Sequence, residues 1–301
     1  MNREELNTKW EQLTYHSKDH FKYATLLQLH ALQFIAIAGR YLAKPQKNEN
    51  HIAMQWYLSK KMLVGTWIDA KQYPIKIGIR LDNLKLKILN PSFTEIDSLY
   101  LQGHTKGEAF DWLNEKMKML KAEMGRMKME LNYPLPYHET EDGEPFEIRN
   151  KDEMVELTKL RTNTHLVLKQ ISTLFQNVSP IQVWPHNFNT YFTIPIEEDG
   201  ADKLLKYINV GLAIPDEFFD RYYFFVSHCD KDELADYDKL KKLEGDGLWT
   251  TRDRVIAILP INKFYCDKTK EDQVKRILSF LISALNNTLD ILVCPEMKIP
   301  N

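Results

Sequence analysis

Apolar and polar positions change period several times along this chain, and each change predicts an element. Residues 19–42 are apolar almost all round and predict a buried helix that stops near Gly39 to Leu42, ahead of Pro45. Over 51–59 the period drops to two, with Ile52, Met54, Trp56 and Leu58 against Ala53, Gln55, Tyr57 and Ser59, which predicts a strand. A second strand is predicted over 62–68. Ile75, Ile77, Ile79 and Leu81 alternate with Lys76, Gly78 and Arg80. Asp82-Asn83 supplies a tight turn, and Leu84, Leu86 and Ile88 resume the alternation. This reads as an antiparallel meander with one wet face.

Period three to four returns over 106–131, where Phe110, Leu113, Met117, Leu120, Met124, Met127 and Leu131 form one helical stripe. Five of the ten methionines lie between Met117 and Met129, a composition suited to core packing or to a partner groove. Pro134, Pro136, Gly143 and Pro145 break the pattern over 132–147 and predict a loop or linker. Asn150 then caps a helix whose apolar face runs from Leu157 to Phe175. Strands follow near 181–184 and 188–196, then a short helix near 201–210 closed by Gly211, and strands near 221–229 and 253–259. A final helix near 270–292 opens with Thr269 and Asp272 as a capping box and buries Val274, Ile277, Leu278, Leu281, Leu285 and Leu289. Alternation throughout argues against parallel strands buried on both faces. The expected class is α+β, with antiparallel sheets covered by helices in two similarly ordered halves of helix, about four strands and helix. The halves are 1–131 and 150–301, joined by a linker at 132–149, or else the whole forms one compact domain.

Composition narrows the function classes. The chain has 301 residues, 44% hydrophobic and 27% charged, as in a soluble globular protein. Its net charge of −2 carries no basic stripe of the kind a nucleic-acid binder shows. The longest apolar run, 26–38, is too short to span a bilayer and is interrupted by Gln28, His30 and Gln33. The N-terminus reads as no secretory signal. Three cysteines without paired spacing give no disulfide framework or zinc site, so the expected location is the cytoplasm.

The stretch 179–196 is the richest in chemistry. It sets Trp184, Phe188, Tyr191 and Phe192 among Gln182, His186, Asn187 and Asn189, the mixture of rings and amides that lines ligand pockets. Arg40, His51 and Trp56 lie at and near the first strand. If the halves approach, these residues share one cleft with Trp184, His186 and Asn189. The bland alternative is two ordinary strand ends.

Elsewhere the chemistry is thinner. His16 and His20 have a metal-compatible helical spacing but lack a third local ligand. His228 and Cys229 point to opposite faces of a strand, which leaves Cys229 as a small buried hydrophobe. His30 reads as a satisfied core histidine. Phosphate loops, nucleophile elbows and paired cysteines have no match. No cofactor or metal is expected.

Several of these stretches together resemble a mainly bacterial, uncharacterised family, the domain-of-unknown-function family numbered fifty-nine ninety-six. The resemblance is carried by Gln33 to Pro45, Asn50-His51, Trp56, Pro145-Phe146 with Asp152, Ser179 to Phe192, and Trp249 to Pro260. It departs from that family's pattern where Ile52 and Ala53, not tryptophans, follow His51, and where His186 or Asn187, Asn189 and Thr193 replace charged residues and glycine. The resemblance implies a unified fold and no known activity.

The expected function is binding of a small organic ligand in an aromatic and polar cleft. The alternatives are a histidine- or metal-dependent hydrolase with His51 or His186 as base, and an interaction module presenting the methionine stripe or the Pro-rich linker.

Overall fold

In the computed structural model, residues 3–14, 17, 19–122, 126–199, 204–217, 219–230, 237–250, 255–292, 297 and 299 are described. In chain order the elements are α1 (Arg3–Lys9), α2 (Lys22–Ala31), α3 (Gln33–Leu42), β1 (Gln55–Tyr57), β2 (Met62–Val64), β3 (Lys76–Arg80), β4 (Lys85–Leu89) and β5 (Glu95–Tyr100). Next come α4 (Lys106–Leu120), α5 (Lys151–Ser172), β6 (Gln182–Val183), β7 (Thr190–Glu198), β8 (Leu204–Ala213) and β9 (Tyr223–Asp230). The last are β10 (Leu248–Thr250), β11 (Ile256–Pro260), α6 (Asn262–Tyr265) and α7 (Lys270–Ile291). The fold is α+β, with antiparallel sheets as the alternation requires.

Two compact units are present, neither continuous in sequence. One comprises residues 17–161 and 182–188, the other 1–16, 162–181 and 189–301.

The first unit holds the sheet β1-β2-β3-β4-β5, antiparallel throughout. Ile77, Ile79, Leu86 and Ile88 fill its core. The turn between β3 and β4 spans Leu81 to Leu84. Its positive φ of 51° falls on Leu84, not on Asp82-Asn83, and Asn83 Oδ1 accepts from Lys85 N at 3.2 Å. Strand β5 goes beyond the sequence reading, since Glu95, Asp97 and Ser98 carry little strand propensity. Ion pairs hold it: Glu95 to Lys85 and to Lys87, each at 2.8 Å, and Asp97 to Lys116 at 2.9 Å.

Helix α3 packs against β3, and a β-carbon at Gly65, which follows β2 and donates to Ile77 O of β3, would stand 2.6 Å from Ile35 Cγ2. The helical stretch 19–42 is two helices meeting at Leu32, which keeps helical angles. Helix α4 is capped by Thr105 and Glu108 and stops at Leu120, eleven residues short of the predicted end at 131. Lys121 takes left-handed angles there, and Ala122 N donates to Met117 O. Met124 lies outside the described residues.

The second unit holds β10-β11-β9-β8-β7, with α7 packed on β9 and β11. Residues 204–213 are a strand, which corrects the helix expected near 201–210. Ile208, Val210 and Leu212, two apart, are buried, and Gly211 and Ala213 are buried beside them, so the end of the strand is covered on both faces. Gly211 is no helix cap. It lets β7 come close, since a β-carbon there would meet Thr190 O at 2.3 Å. The expected cap of α7 is present: Thr269 Oγ1 accepts from Asp272 N at 3.1 Å, and all six predicted core residues of α7 are buried. Gln273 ties the N-terminal segment to α7, accepting from Trp10 Nε1 and Leu13 N and donating to Leu13 O.

Candidate functional site

The first unit contains a cleft of about 440 Å³ beside α2 and α3. Its floor is the stripe His30, Gln33, Phe34 and Ile37, spaced i, i+3, i+4, i+7 across the Leu32 junction so that all four face one side. Its far wall is the chain from Met129 to Tyr137, which contains Pro134 and Pro136 and makes no helix or strand. Two bonds fix that wall to the floor. Tyr133 Oη donates to Gln33 Oε1 at 2.7 Å, and His30 Nε2 donates to the Pro136 carbonyl at 2.9 Å.

At one end the first residue of α4, Lys106, brings its ammonium into the cleft. Lys106 Nζ lies 2.6 Å from His30 Nδ1 and is paired with Glu141 Oε1, which is itself 3.0 Å from His30 Nδ1. Glu141 stands on the short helical turn Glu139–Asp142. The His30 side chain is wholly buried, that of Lys106 is 14% exposed, and that of Glu141 is about half exposed.

A carbonyl oxygen only accepts, so the bond to Pro136 places the ring hydrogen of neutral His30 on Nε2. Nδ1 then offers its lone pair to Lys106. Burial, and after it the charge of Lys106, holds His30 below the ordinary histidine range. Burial also lowers Lys106, against the pull of Glu141. Burial works against the Glu141 carboxylate too, but its bond and charge contact with Lys106 keep it below the usual carboxylate range. Behind His30, 5.4 Å away between ring centres, lies His138, which burial and then His30 and Lys106 among other charges hold down at about 4.

None of the six residues expected at the site from sequence lines this cleft, but four gather beside it. Arg40 pairs with Glu49 Oε1 at 3.4 Å, and Asn132 Nδ2 donates to the same oxygen at 3.1 Å. His51 Nδ1 accepts from Gln46 N at 3.2 Å. His186 stands edge-on to Tyr133 and beside Trp184, each at 5.9 Å between ring centres. The Glu49 charge reaches both His51 and His186, although burial keeps both below the ordinary range. Gln33 Nε2 donates to Pro185 O at 2.9 Å, which ties this group to the cleft floor. Trp56 is 4% exposed, a core residue of β1, and its Nε1 has no hydrogen-bond partner among the described residues. Asn189 belongs to the second unit, where its Oδ1 accepts from Ile214 N at 3.2 Å.

Lys106, Glu141, Gln33 and Tyr133 escaped the sequence reading. The available signal was the polar set Gln28, His30 and Gln33 inside an otherwise apolar helix, since buried polar groups require partners. His30 does have them at both ring nitrogens.

Other candidates change as well. His16 lies outside the described residues, which leaves the His16–His20 pair undescribed. Cys229 is only partly buried, like its neighbours at the end of β9, and His228 Nε2 lies 3.2 Å from Tyr237 Oη. Met117 and Met127 are buried, so they offer no partner surface, although Met119 and Met129 are exposed. Among the described residues, no three His, Cys, Asp or Glu gather as metal ligands, and no helix is long and apolar enough to cross a membrane.

Compared with protein-family models, with curated proteins and with solved structures, the chain finds no match.

Proposed function

We propose that the unit built on residues 17–161 and 182–188 binds a small organic molecule in the cleft beside α3. The observation that carries this is the pairing of apolar side chains on floor and wall with a polar end at which Lys106 and His30 are held out of water. Phe34, Ile37 and Leu131 offer apolar contact, while Lys106, His30 and Glu141 meet at one end. About 440 Å³ lies within the usual range for small-molecule sites, roughly 300–1,000 Å³. A charged lysine held out of water loses hydration, and a ligand acceptor placed on it restores part of that loss. The ligand therefore has an apolar body and one oxygen acceptor.

Arg40, Trp184 and His186, with Glu49 and Asn132, form a polar rim next to Tyr133, and their place in this reading is at the entrance rather than the floor. Kinship with the uncharacterised family named above belongs to the same proposal, through the segment carrying Trp184 and His186. So does work in the cytoplasm, which rests on cysteine usage.

The test uses 2-octanol as a neutral probe and Ile37→Trp as a variant that fills the floor. At ten times its Kd the probe stabilises the native protein by about 1.4 kcal/mol, a readable rise in Tm. The rise is expected in the unaltered protein and lost in Ile37→Trp. A protein that 2-octanol fails to stabilise up to its solubility limit, or an equal rise in Ile37→Trp, refutes the reading.

A further inference from the structure

We propose that Lys106 captures a carbonyl compound in this cleft as a Schiff base, with His30 taking up the proton that frees the nitrogen. This rests on the reading of the cleft as a small-molecule site and names the chemical class of its ligand.

Charge decides that class. Lys106 and Glu141 already balance one another, and His30 is neutral when its Nε2 donates to Pro136. A carboxylate ligand would bring a second anion against Glu141 and find no unpaired cation at this end. A ketone or aldehyde brings a neutral acceptor. Two of the three ammonium hydrogens of Lys106 are accounted for, by His30 Nδ1 and Glu141 Oε1, which leaves one for a carbonyl oxygen. The apolar floor of Phe34 and Ile37 suits the rest of such a molecule.

The same three groups fit the step itself. An ammonium cannot attack, so Lys106 must first give up a proton. His30 Nδ1 is 2.6 Å away with its lone pair free to accept it. Charge moves from Lys106 to His30 and the cluster stays neutral. The imidazolium Nδ1–H then faces Glu141 Oε1 at 3.0 Å, which stabilises it.

The amine lone pair adds to the carbonyl carbon and forms the C–N bond, while the carbonyl π pair goes to oxygen. The oxygen gains two protons, one from the nitrogen and one returned by His30, and leaves as water. The nitrogen lone pair closes the C=N bond. Overall, an ammonium and a carbonyl become an iminium and water, and no oxidant or reductant is consumed. Burial lowers Lys106 and His30 alike, so the transfer is carried by the 2.6 Å contact between them and by the Glu141 carboxylate that receives the imidazolium.

The experiment is reductive trapping of the full chain with 2-octanone and sodium cyanoborohydride, followed by peptide mapping. Alkylation is expected at Lys106 ahead of every other lysine. Lys106→Arg should abolish it with no other lysine taking its place, and His30→Gln should slow it about a hundred-fold, within the usual range for a general base. Glu141→Gln, at a half-exposed position, serves as the second variant should His30→Gln fail to fold. It removes the imidazolium's partner and should slow trapping. Alkylation spread evenly over surface lysines, or an undiminished rate in both folded variants, overturns the inference. If 2-octanol still raises Tm in that case, the binding reading stands and the carbonyl chemistry alone is lost. If neither probe acts, both are lost.

Discussion

Tyr133 Oη donates to Gln33 Oε1 over 2.7 Å, joining residues a hundred positions apart. Gln33 in turn donates to Leu29 O at 2.8 Å and to Pro185 O at 2.9 Å, so one amide holds the cleft wall, the helix and the segment carrying Trp184 and His186. Gln33 is itself buried, which makes each of these bonds costly to lose.

Tyr133→Phe removes the donor and leaves Gln33 Oε1 without it. The expected loss is about 1–3 kcal/mol, the desolvation penalty of a buried unsatisfied acceptor. Urea denaturation should show a lower midpoint at unchanged slope, and amide exchange should quicken over 126–138. An unmoved midpoint would show that the wall is held by other contacts.

Gly39→Ala poses a contest of two effects. In a helix interior the exchange ordinarily gains about 1 kcal/mol in propensity. Here the new β-carbon would stand 2.3 Å from the backbone oxygen of His51, which no side-chain rotation can relieve. Overpacking of this kind costs about 1–3 kcal/mol, so net destabilisation is expected. A raised Tm in calorimetry would contradict the close approach of α3 to His51.

Glu49→Gln tests whether the rim is assembled around one carboxylate. The Glu49 charge works to raise both His51 and His186, against burial. Its removal should move both imidazoles further down in an NMR titration, in the same variant. A change at one histidine only would separate the two residues.

His138 makes stability depend on pH. Its folded value, near 4, lies below the ordinary 6.5, because burial and then the neighbouring His30 and Lys106 among others oppose its charge. The unfolded chain therefore binds the proton first. Stability is lost as pH falls from about 6.5 towards 4 and levels off below that, on this group's account. Thr140 N–H donates to His138 Nδ1 at 3.3 Å, so His138→Asn keeps an acceptor there. That variant should flatten the slope of unfolding free energy against pH in the same window; an unchanged slope would place the dependence on other histidines.

The sheets and the long helices were legible where local pattern and burial agree. The alternation of Ile77, Ile79, Leu86 and Ile88 names the core of the first sheet, but the wet face expected beside it is absent in β3, where Lys76 and Gly78 are buried too. Thr269 and Asp272 mark the start of α7 because a cap is a short-range bond. Errors arose where two patterns compete. The stretch near 201–210 with Gly211 behind it reads locally as a short capped helix, yet β7 and β9 bind 204–213 on both sides as a strand. The methionine stripe past Leu120 keeps helical spacing, but Lys121 turns the chain without a glycine to announce it.

What the sequence by itself determined is the α+β class, the helix caps, the alternating strands, and the presence in residues 26–38 of polar groups that demand buried partners. What only the tertiary structure decided is which partners they find. Lys106, Tyr133, Pro136 and Glu141 reach His30 and Gln33 from 76 to 111 positions downstream. Hydrogen bonds and charge contacts act over a few ångströms of space, and separation along a chain does not encode that distance until the backbone has folded.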